Sequence, residues 1–273
     1  MAINVHLDRA VALGEGFPAQ PVEPSEPVAR RRVMAMAASV VAATAVSGGI
    51  FTFSRRNPGL GARSIETAKG AVRLVALHEG SHITLNTLTQ IRPVLTSGLR
   101  RIDLVYGEAL FQVAKDPARP FVVYAGDLSV RAIGTSFSVR LIGPDAIRLL
   151  VSEGVVEVGR GREVLGQVHA GIQFAVDPAA TPDITTLDAA RLSNALAWRH
   201  GRLDLQGLTL AQAAEEFGRY SDLKIRVEDP SIVHLHITGV YATNDPAGFA
   251  RNVALSLGLK SVRRGNEVII YKS

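Results

Sequence analysis

Residues 101–113 read RIDLVYGEALFQV, and their pattern gives the clearest indication of the fold class. Apolar side chains alternate with polar ones at Ile102 and Leu104, and the alternation returns at Phe111 and Val113. A period of two places one set of side chains on the buried face of a β-strand. Gly107 separates the two runs and predicts a tight turn. The stretch therefore predicts two short strands of an all-β domain.

The same alternation continues on both sides of this stretch. Between residues 65 and 175, apolar residues recur at every second position and glycines separate the runs. Short alternating strands joined by glycine turns predict an all-β domain, which we place at residues 54–190. The order of the strands stays open, because a compact sandwich and a solenoid-like stack both satisfy the pattern. The further alternating residues are Phe121, Val123, Phe137, Val139, Leu141, Ile147, Leu149 and Val151.

Residues 191–273 change to a pattern of helices and strands. Thr209, with a glutamine three residues later, forms a capping-box sequence that predicts the start of a helix. Asp245 followed by Pro246 predicts the start of a second helix. A strand is predicted at the same distance after each start, so we expect two copies of a β-α-β unit, followed by a hairpin that turns at residues 264–266. The chain is thus predicted to be mixed but mainly β, with a small α+β domain at its end.

The front of the chain differs in composition from the rest. In residues 1–32, prolines recur at every third position from 18 to 27. Polyproline II has three residues per turn, so these prolines would share one face of an extended segment. A solvated linker is the expected role, and a ligand for an aromatic-lined groove is the alternative.

Residues 33–53 carry no charged side chain and follow three arginines, Arg30 to Arg32. As a helix this segment would span roughly 31 Å, which matches the hydrocarbon core of a bilayer. We predict an uncleaved transmembrane helix here, with the lipid bilayer as a partner. The alternatives are a buried soluble helix and a twin-arginine export signal cleaved near Ala43 or Ala45. Basic residues alone do not fix the orientation, because three precede the segment and five follow it within twenty residues.

The composition excludes several classes of function. The chain has no cysteine, which excludes disulfide frameworks, cysteine-ligated metals and thiol catalysis. Its net charge of +5 is spread along the sequence, so no nucleic-acid partner is expected. His234 and His236 could share one face of a strand, but no third metal ligand accompanies them. Since no phosphate loop or nucleophile elbow is present either, we predict a protein that is not an enzyme and holds no cofactor or metal.

Five motifs resemble, in the same order, those of the FecR family of transmembrane sigma regulators. The most specific runs from Arg101 to Val123 and contains the opening stretch. One such motif would be weak evidence, whereas five in sequence are strong evidence. They are residues 77–86, 101–123, 130–140, 153–155 and 197–203.

The resemblance implies a single-pass protein of the bacterial inner membrane, with its N-terminus in the cytoplasm and its C-terminus in the periplasm. Members of this family bind an extracytoplasmic-function sigma factor through a cytoplasmic domain. The signalling domain of a TonB-dependent outer-membrane transporter contacts their periplasmic end, and an intramembrane protease then cuts the regulator. The resemblance therefore implies an anti-sigma factor in cell-surface signalling of the iron or siderophore type, whose α+β domain resembles the signalling domain of such transporters.

The sequence departs from the family at its front. Residues 1–32 are several times shorter than the family's cytoplasmic domain, so a truncated or lost sigma-binding part is expected. The alternative function is an exported periplasmic module that binds an envelope component and does not regulate a sigma factor.

Two sets of residues follow from the motifs and the alternation. The first set is structural, with glycines at corners, aromatic residues in the core, and charged residues such as Arg140 in ion pairs or across turns. Its members are Gly80, Arg101, Gly107, Glu108, Phe111, Arg119, Pro120, Phe121, Gly134, Thr135, Phe137, Trp198 and Gly201.

The second set is a predicted partner site in the α+β domain, where strand edges could accept a strand of a partner. Its members are Leu203, Leu205, Phe217, Tyr220, Gly239 and Tyr241. The spacing of Leu203, Leu205 and Phe217 also predicts their burial in a core, so both interpretations stay open.

Overall fold

The computed structural model of the chain describes residues 64–143, 146–177 and 182–272. The predicted linker at 1–32 and the predicted transmembrane helix at 33–53 lie outside these residues. Within the described ranges, no helix has the length and apolar character needed to cross a bilayer.

From residue 65 to residue 186, the described chain forms strands and connecting turns, as the alternation predicts. We call this part the sandwich. Its strands are β1 (Ile65–Glu66), β2 (Arg73–Ala76), β3 (His82–Leu85), β4 (Gln90–Leu95), β5 (Arg100–Gln112), β6 (Phe121–Ala125), β7 (Leu128–Ala132), β8 (Ser136–Ile142), β9 (Ala146–Glu153), β10 (Val155–Arg160), β11 (Glu163–His169), β12 (Ile172–Val176) and β13 (Asp183–Thr186).

The strands of the sandwich form two sheets that share β5. The first sheet contains β1, β4, the first half of β5, β6, β7, β10 and β11. The second sheet contains β2, β3, the second half of β5, β8, β9, β12 and β13. Consecutive hairpins alternate between the sheets, since β6–β7 lies in the first, β8–β9 in the second and β10–β11 in the first again. The fold therefore has features of both arrangements that the sequence left open. Its two sheets form a sandwich, and successive hairpins along the chain are added to the two sheets in turn, as in a solenoid-like stack.

The two sheets enclose one hydrophobic core. Phe111, Phe121 and Phe137 are fully buried in it. The ring of Phe111 lies 5.2 Å from that of Phe137 and 6.1 Å from that of Phe121, measured between centroids. These are favourable distances for aromatic pairs, and the predicted core role of the three residues is confirmed.

The prediction of a turn at Gly107 is wrong, because this residue lies inside the continuous strand β5. Before Gly107, β5 pairs with β4 and β6, and from Gly107 onward it pairs with β3 and β8. Val105 is an extra residue opposite the Gln90–Ile91 step of β4, which marks a bulge. The positive φ of Gly107, 92°, is readily adopted only by glycine. The bulge and this glycine bend β5, so that one strand passes from the first sheet into the second.

Arg100 holds the connection that follows this long strand. Strands β5 and β6 are parallel, so the chain must return from the end of β5 to a position beside its start. The Arg100 side chain is fully buried and lies 3.7 Å from the carboxylate of Glu79. Its guanidinium group donates hydrogen bonds to the backbone carbonyls of Arg119, Ala114 and Asp116 at 2.7, 3.0 and 3.4 Å. A buried charge is tolerated here because it is both paired and hydrogen-bonded.

Residues 187–272, which we call the C-terminal region, contain helices and short strands. The predicted domain boundary after residue 190 falls inside its first helix. Its elements are α1 (Ala189–Ala195), a short 3-10 helix (Ala197–His200), β14 (Arg202–Asp204), β15 (Leu208–Thr209), α2 (Leu210–Gly218), β16 (Lys224–Val227), β17 (His236–Ile237), β18 (Val240–Ala242), α3 (Pro246–Leu257), β19 (Lys260–Arg264) and β20 (Glu267–Tyr271).

The helix caps predicted in this region are confirmed. The Thr209 hydroxyl accepts the Gln212 backbone N–H, and the Gln212 side chain accepts the Thr209 backbone N–H. Asp245 accepts the backbone N–H of Gly248 at the start of α3. The predicted final hairpin is β19–β20. A strand precedes and follows each of α2 and α3, and β14 pairs with β18 while β20 pairs with both β16 and β19.

Candidate functional site

The second sheet is buried on both faces where the C-terminal region packs against it. Its inner face belongs to the sandwich core, whereas Leu110 and Leu150 on its outer face join a second core formed mainly by the C-terminal region. Phe217 and Phe249 meet in that second core, with ring centroids 4.7 Å apart. Residues 108–111 are therefore all buried, which breaks the alternation of the first half of β5.

An ionic network joins the second sheet to α2. Glu216 accepts hydrogen bonds from Arg140 Nη1 and Nη2 at 3.2 and 2.7 Å, a two-point contact that fixes orientation as well as distance. Arg219 Nη1 donates to the same carboxylate at 2.6 Å. Arg219 Nη2 lies 3.7 Å from the carboxylate of Glu108 on β5. Two carboxylates and two guanidinium groups thus alternate across the contact.

A group of hydrogen bonds continues this network toward the turn after β3. The Asn86 amide donates to the Glu108 carboxylate at 2.9 Å and to the Tyr220 hydroxyl at 2.8 Å. The Thr87 hydroxyl donates to the backbone carbonyl of Arg219 at 2.8 Å. Asn86 and Thr87 are fully buried, so their polar groups depend on these partners. The C-terminal region is therefore held to the sandwich by polar as well as apolar contacts.

The surroundings of the network shift the pKa values of two of its acidic groups in opposite directions. Burial by itself raises the pKa of Glu216, but the guanidinium groups of Arg140 and Arg219 more than offset it, so the pKa lies below its usual value. Burial raises the pKa of Tyr220, and the nearby Glu108 carboxylate adds to this effect. At neutral pH Glu216 is therefore charged and Tyr220 is neutral.

We expect the folded protein to lose stability at alkaline pH through Tyr220. The phenol keeps its proton in the folded state but loses it in the unfolded chain above about pH 10, so the free energy of unfolding falls as pH rises. Urea unfolding at about pH 9 and about pH 11 measures this fall, which is at most about 1.4 kcal/mol per pH unit for one group. The Tyr220→Phe variant should show a smaller fall than the wild type. Tyr106→Phe is the control, because Tyr106 is 43% exposed, and an equal fall in all three proteins would contradict the prediction.

A cleft of about 510 Å³ lies between the outer face of the second sheet and the C-terminal region. Arg140, Arg148 and Leu150 line it from the sheet, and Trp198 and Arg202 line it from the other side. Trp198 is 4% exposed. Its indole N–H has no hydrogen-bond acceptor among the described residues.

The residues of the predicted partner site do not form one exposed surface. Leu203, Leu205, Phe217 and Tyr220 are all buried in the second core, as the alternative interpretation of the first three expected. Gly239 is exposed, and the half-buried Tyr241 packs edge-on against Phe249 at 5.0 Å between ring centroids. The four buried side chains offer no surface to a partner in this structure, because they fill the core beneath α2 and α3. A partner site at Gly239 and Tyr241 stays a prediction.

The charged residues predicted to form ion pairs do so, but in two different places. Arg101 pairs with Asp103 at 2.7 Å, and Arg119 pairs with Asp116 at 2.8 Å, both within the sandwich. Glu108 and Arg140 instead face the C-terminal region, as described above. Sequence reasoning missed their partners Glu216 and Arg219. The one local signal for these partners is their spacing of three residues at the end of α2, which brings their side chains together.

The remaining structural residues occupy turns and buried positions. Gly80, Gly134 and Gly201 have φ values of 94°, 78° and 69°, which suit the glycines predicted at corners. A Cβ atom on Gly134 would lie 2.9 Å from Cβ of Lys115, so this corner also needs the absence of a side chain. Thr135 is buried, and its carbonyl accepts the Val113 backbone N–H at 2.8 Å. Pro120 is half-buried just before β6.

The described residues contain no group of three His, Asp or Glu side chains that could hold a metal ion. His236 begins β17, whereas His234 precedes that strand, and both are exposed.

Residues 63–157 match the sequence profile of the family described as FecR protein. We call residues 63–157, which are similar to this family, the FecR domain. The resemblance predicted from the sequence motifs is thereby confirmed over this range. The FecR domain includes Asn86, Glu108 and Arg140, so one side of the polar network belongs to it, whereas Glu216, Arg219 and Tyr220 lie beyond the matched residues.

Two crystal structures of a candidate anti-sigma factor from Parabacteroides distasonis ATCC 8503 have folds similar to that of this chain. One aligns with a TM-score of 0.67 at 23% identity, and the other with a TM-score of 0.66 at 24% identity. Each alignment covers 77% of this chain and 99% of the other. At these identities the likeness shows a shared fold. No curated protein matches the chain at a significant level.

Proposed function

We propose that this chain is a regulator of an extracytoplasmic-function sigma factor, of the anti-sigma type. One observation carries the proposal: the fold similarity extends over 99% of a candidate anti-sigma factor and takes in 77% of this chain, far more than the FecR domain alone. The FecR domain supports the same conclusion. In this proposal residues 33–53 anchor the chain in the inner membrane, with the sandwich and the C-terminal region in the periplasm.

The contact between the sandwich and the C-terminal region suits such a role. The two parts share buried apolar side chains and the network around Glu216, so a partner that displaces α2 also perturbs the FecR domain. We propose that this partner is the signalling domain of a TonB-dependent outer-membrane transporter, in signalling of the iron or siderophore type. Cleavage by an intramembrane protease would then carry the signal to the sigma factor.

Sequencing the RNA of the source bacterium, with and without the gene for this chain, tests the proposal. We expect the transcripts that depend on one extracytoplasmic-function sigma factor to change together, since the regulator acts on that factor. Expression of the full chain in the deletion strain should restore the original levels. A version that lacks residues 1–53 should not restore them, because it lacks the predicted anchor and everything before it.

If no such group of transcripts changes, the proposal fails. The location of the chain then separates the alternatives. A chain found in the periplasm as a soluble form shortened near Ala43 or Ala45 would support an exported module that binds an envelope component.

A further inference from the structure

We propose that an apolar patch beside β1 rests on the surface of the lipid bilayer. The patch consists of Ala68, Leu88 and Tyr106, all of which are exposed. This inference rests on the proposed membrane anchor at residues 33–53, and it adds a second, weaker contact with the same membrane. Such a contact orients the sandwich relative to the bilayer.

Backbone contacts bring the three residues of the patch together. The Leu88 N–H donates to the carbonyl of Ala68 at 3.4 Å. The backbone of Leu88 also lies beside Gly107, because a Cβ atom on that glycine would be 2.5 Å from the Leu88 oxygen. Tyr106 directly precedes this glycine and is 43% exposed. The three side chains therefore start from neighbouring points of one surface.

The backbone conformation of Leu88 indicates that its side chain has a use at this surface. Among the described residues, Leu88 is the only residue other than glycine with a positive φ, 47°. Glycine and asparagine adopt this conformation with less strain, so the turn by itself would favour either of them. The Leu88 side chain is 39% exposed and belongs to neither core. Strain that no core contact explains is typical of functional positions.

The chain enters the sandwich next to this patch. Glu66 on β1, Gln90 on β4 and Tyr106 on β5 are in register across three strands. Neighbouring strands lie about 4.8 Å apart, so Tyr106 is about 10 Å from β1. Residues 54–63 separate the predicted anchor from the first described residue. Even when fully extended, this number of residues spans at most about 36 Å, so the edge of the sandwich that carries the patch is held near the bilayer.

The chemistry of the patch suits the interfacial region of a bilayer. Tyrosine is enriched at the level of the lipid headgroups, and leucine adds apolar surface that enters the acyl boundary. The charged side chains beside the patch add no free positive charge, since Glu66 is exposed and Lys69 pairs with Asp222 at 2.9 Å. The contact is therefore apolar and does not depend on anionic lipids. A low affinity is enough, because the anchor keeps the patch at a high local concentration near the bilayer.

A fluorescent label tests this contact, since the chain has no cysteine of its own. The full chain carries Ala68→Cys with a nitrobenzoxadiazole label and is reconstituted into phosphatidylcholine vesicles. Spin-labelled phosphatidylcholine in the same vesicles should lower the emission at least about twofold, because the label then lies at the headgroup level. The control is the same label at Arg162→Cys, in the exposed turn between β10 and β11 at the opposite edge of the first sheet, which should lose little emission.

A double variant connects the quenching to the patch. Replacing Leu88→Asn together with Tyr106→Ser should remove most of the quenching at position 68. The thermal unfolding midpoint should not fall, because asparagine tolerates a positive φ and Tyr106 is exposed. Adding phosphatidylglycerol to the vesicles should leave the quenching unchanged. Quenching that requires anionic lipid, equal quenching at the two label positions, or unchanged quenching in the double variant would each overturn the inference.

Flotation of the same vesicles after an alkaline carbonate wash tests the anchor separately. A chain that floats but shows no quenching at position 68 would overturn this inference and leave the proposed anchor in place. A chain that does not float would overturn both.

Discussion

The Gly107→Ala variant is expected to be about 2–5 kcal/mol less stable than the wild type. Two costs add at this position. A φ of 92° is strained for any residue with a side chain. In addition, the new Cβ atom would lie 2.5 Å from the backbone oxygen of Leu88 and 2.6 Å from Cα of Thr89. Since both contacts involve backbone atoms, β5 or the neighbouring turn must move.

The turn that would have to move is itself fixed by hydrogen bonds. The Thr89 hydroxyl accepts the backbone N–H of Glu108 at 3.0 Å and donates to its carbonyl at 3.1 Å. A shift of β5 away from Thr89 therefore breaks bonds at the bend through which the strand enters the second sheet. Urea unfolding followed by circular dichroism measures the loss of stability.

Gly161→Ala is the matched control for this variant. Gly161 also has a positive φ, 60°, but a Cβ atom there would meet no other atom within 4 Å. We expect it to lower the free energy of unfolding by about 1–2 kcal/mol, which is the conformational cost alone. If the two variants lost the same amount of stability, the close approach of Thr89 to Gly107 would add nothing to the cost, which would contradict the prediction.

The Glu216→Gln variant is expected to be about 2–3 kcal/mol less stable than the wild type. Glutamine keeps the shape of the side chain but leaves Arg140 and Arg219 without their shared counter-charge. The exposed fractions of these three side chains are only 14%, 24% and 20%, so water replaces the lost charge poorly. The expected loss of stability is smaller than for a fully buried ion pair, because these side chains are partly exposed.

The same variant changes the response to acid. The pKa of Glu216 is lowered in the folded state, so its stabilising effect is complete above the unfolded pKa and is lost as pH falls through the folded one. Urea unfolding at neutral pH and at about pH 3 should therefore give a smaller difference for Glu216→Gln than for the wild type. The control is Glu267→Gln, since Glu267 pairs with Arg226 at the surface, where a single ion pair contributes at most about 1 kcal/mol. Equal stabilities of the two variants would contradict the role given to Glu216.

Much of the local structure could be predicted because its causes lie close together in the chain. The alternation at Phe111, Phe121 and Phe137 depends on neighbouring residues, and so does the capping box at Thr209. The hairpin of β19 and β20 likewise follows from its own turn sequence. Each of these predictions is confirmed, because a strand period or a helix cap involves only a few consecutive residues.

The candidate site could be predicted only in part. The motifs identified Glu108 and Arg140 as residues of ion pairs, but not their partners on α2. The motifs contain Arg101, which is partly exposed, but not its neighbour Arg100, whose side chain is fully buried. The sequence shows two adjacent arginines, and only the return of the chain after β5 places carbonyl groups around the first of them.

Local patterns along the chain are enough to predict the class of fold, the positions of most core strands, the caps of α2 and α3, and the likeness to the FecR family. Packing between distant parts of the chain is what makes Gly107 bend a continuous strand, covers both faces of the second sheet, and places Leu203, Leu205 and Phe217 in a core. The pairs that hold the C-terminal region in place are separated by 76 residues for Arg140 and Glu216 and by 134 residues for Asn86 and Tyr220. Local periodicity contains no information about such contacts, because they form only when the folded sheet and α2 meet.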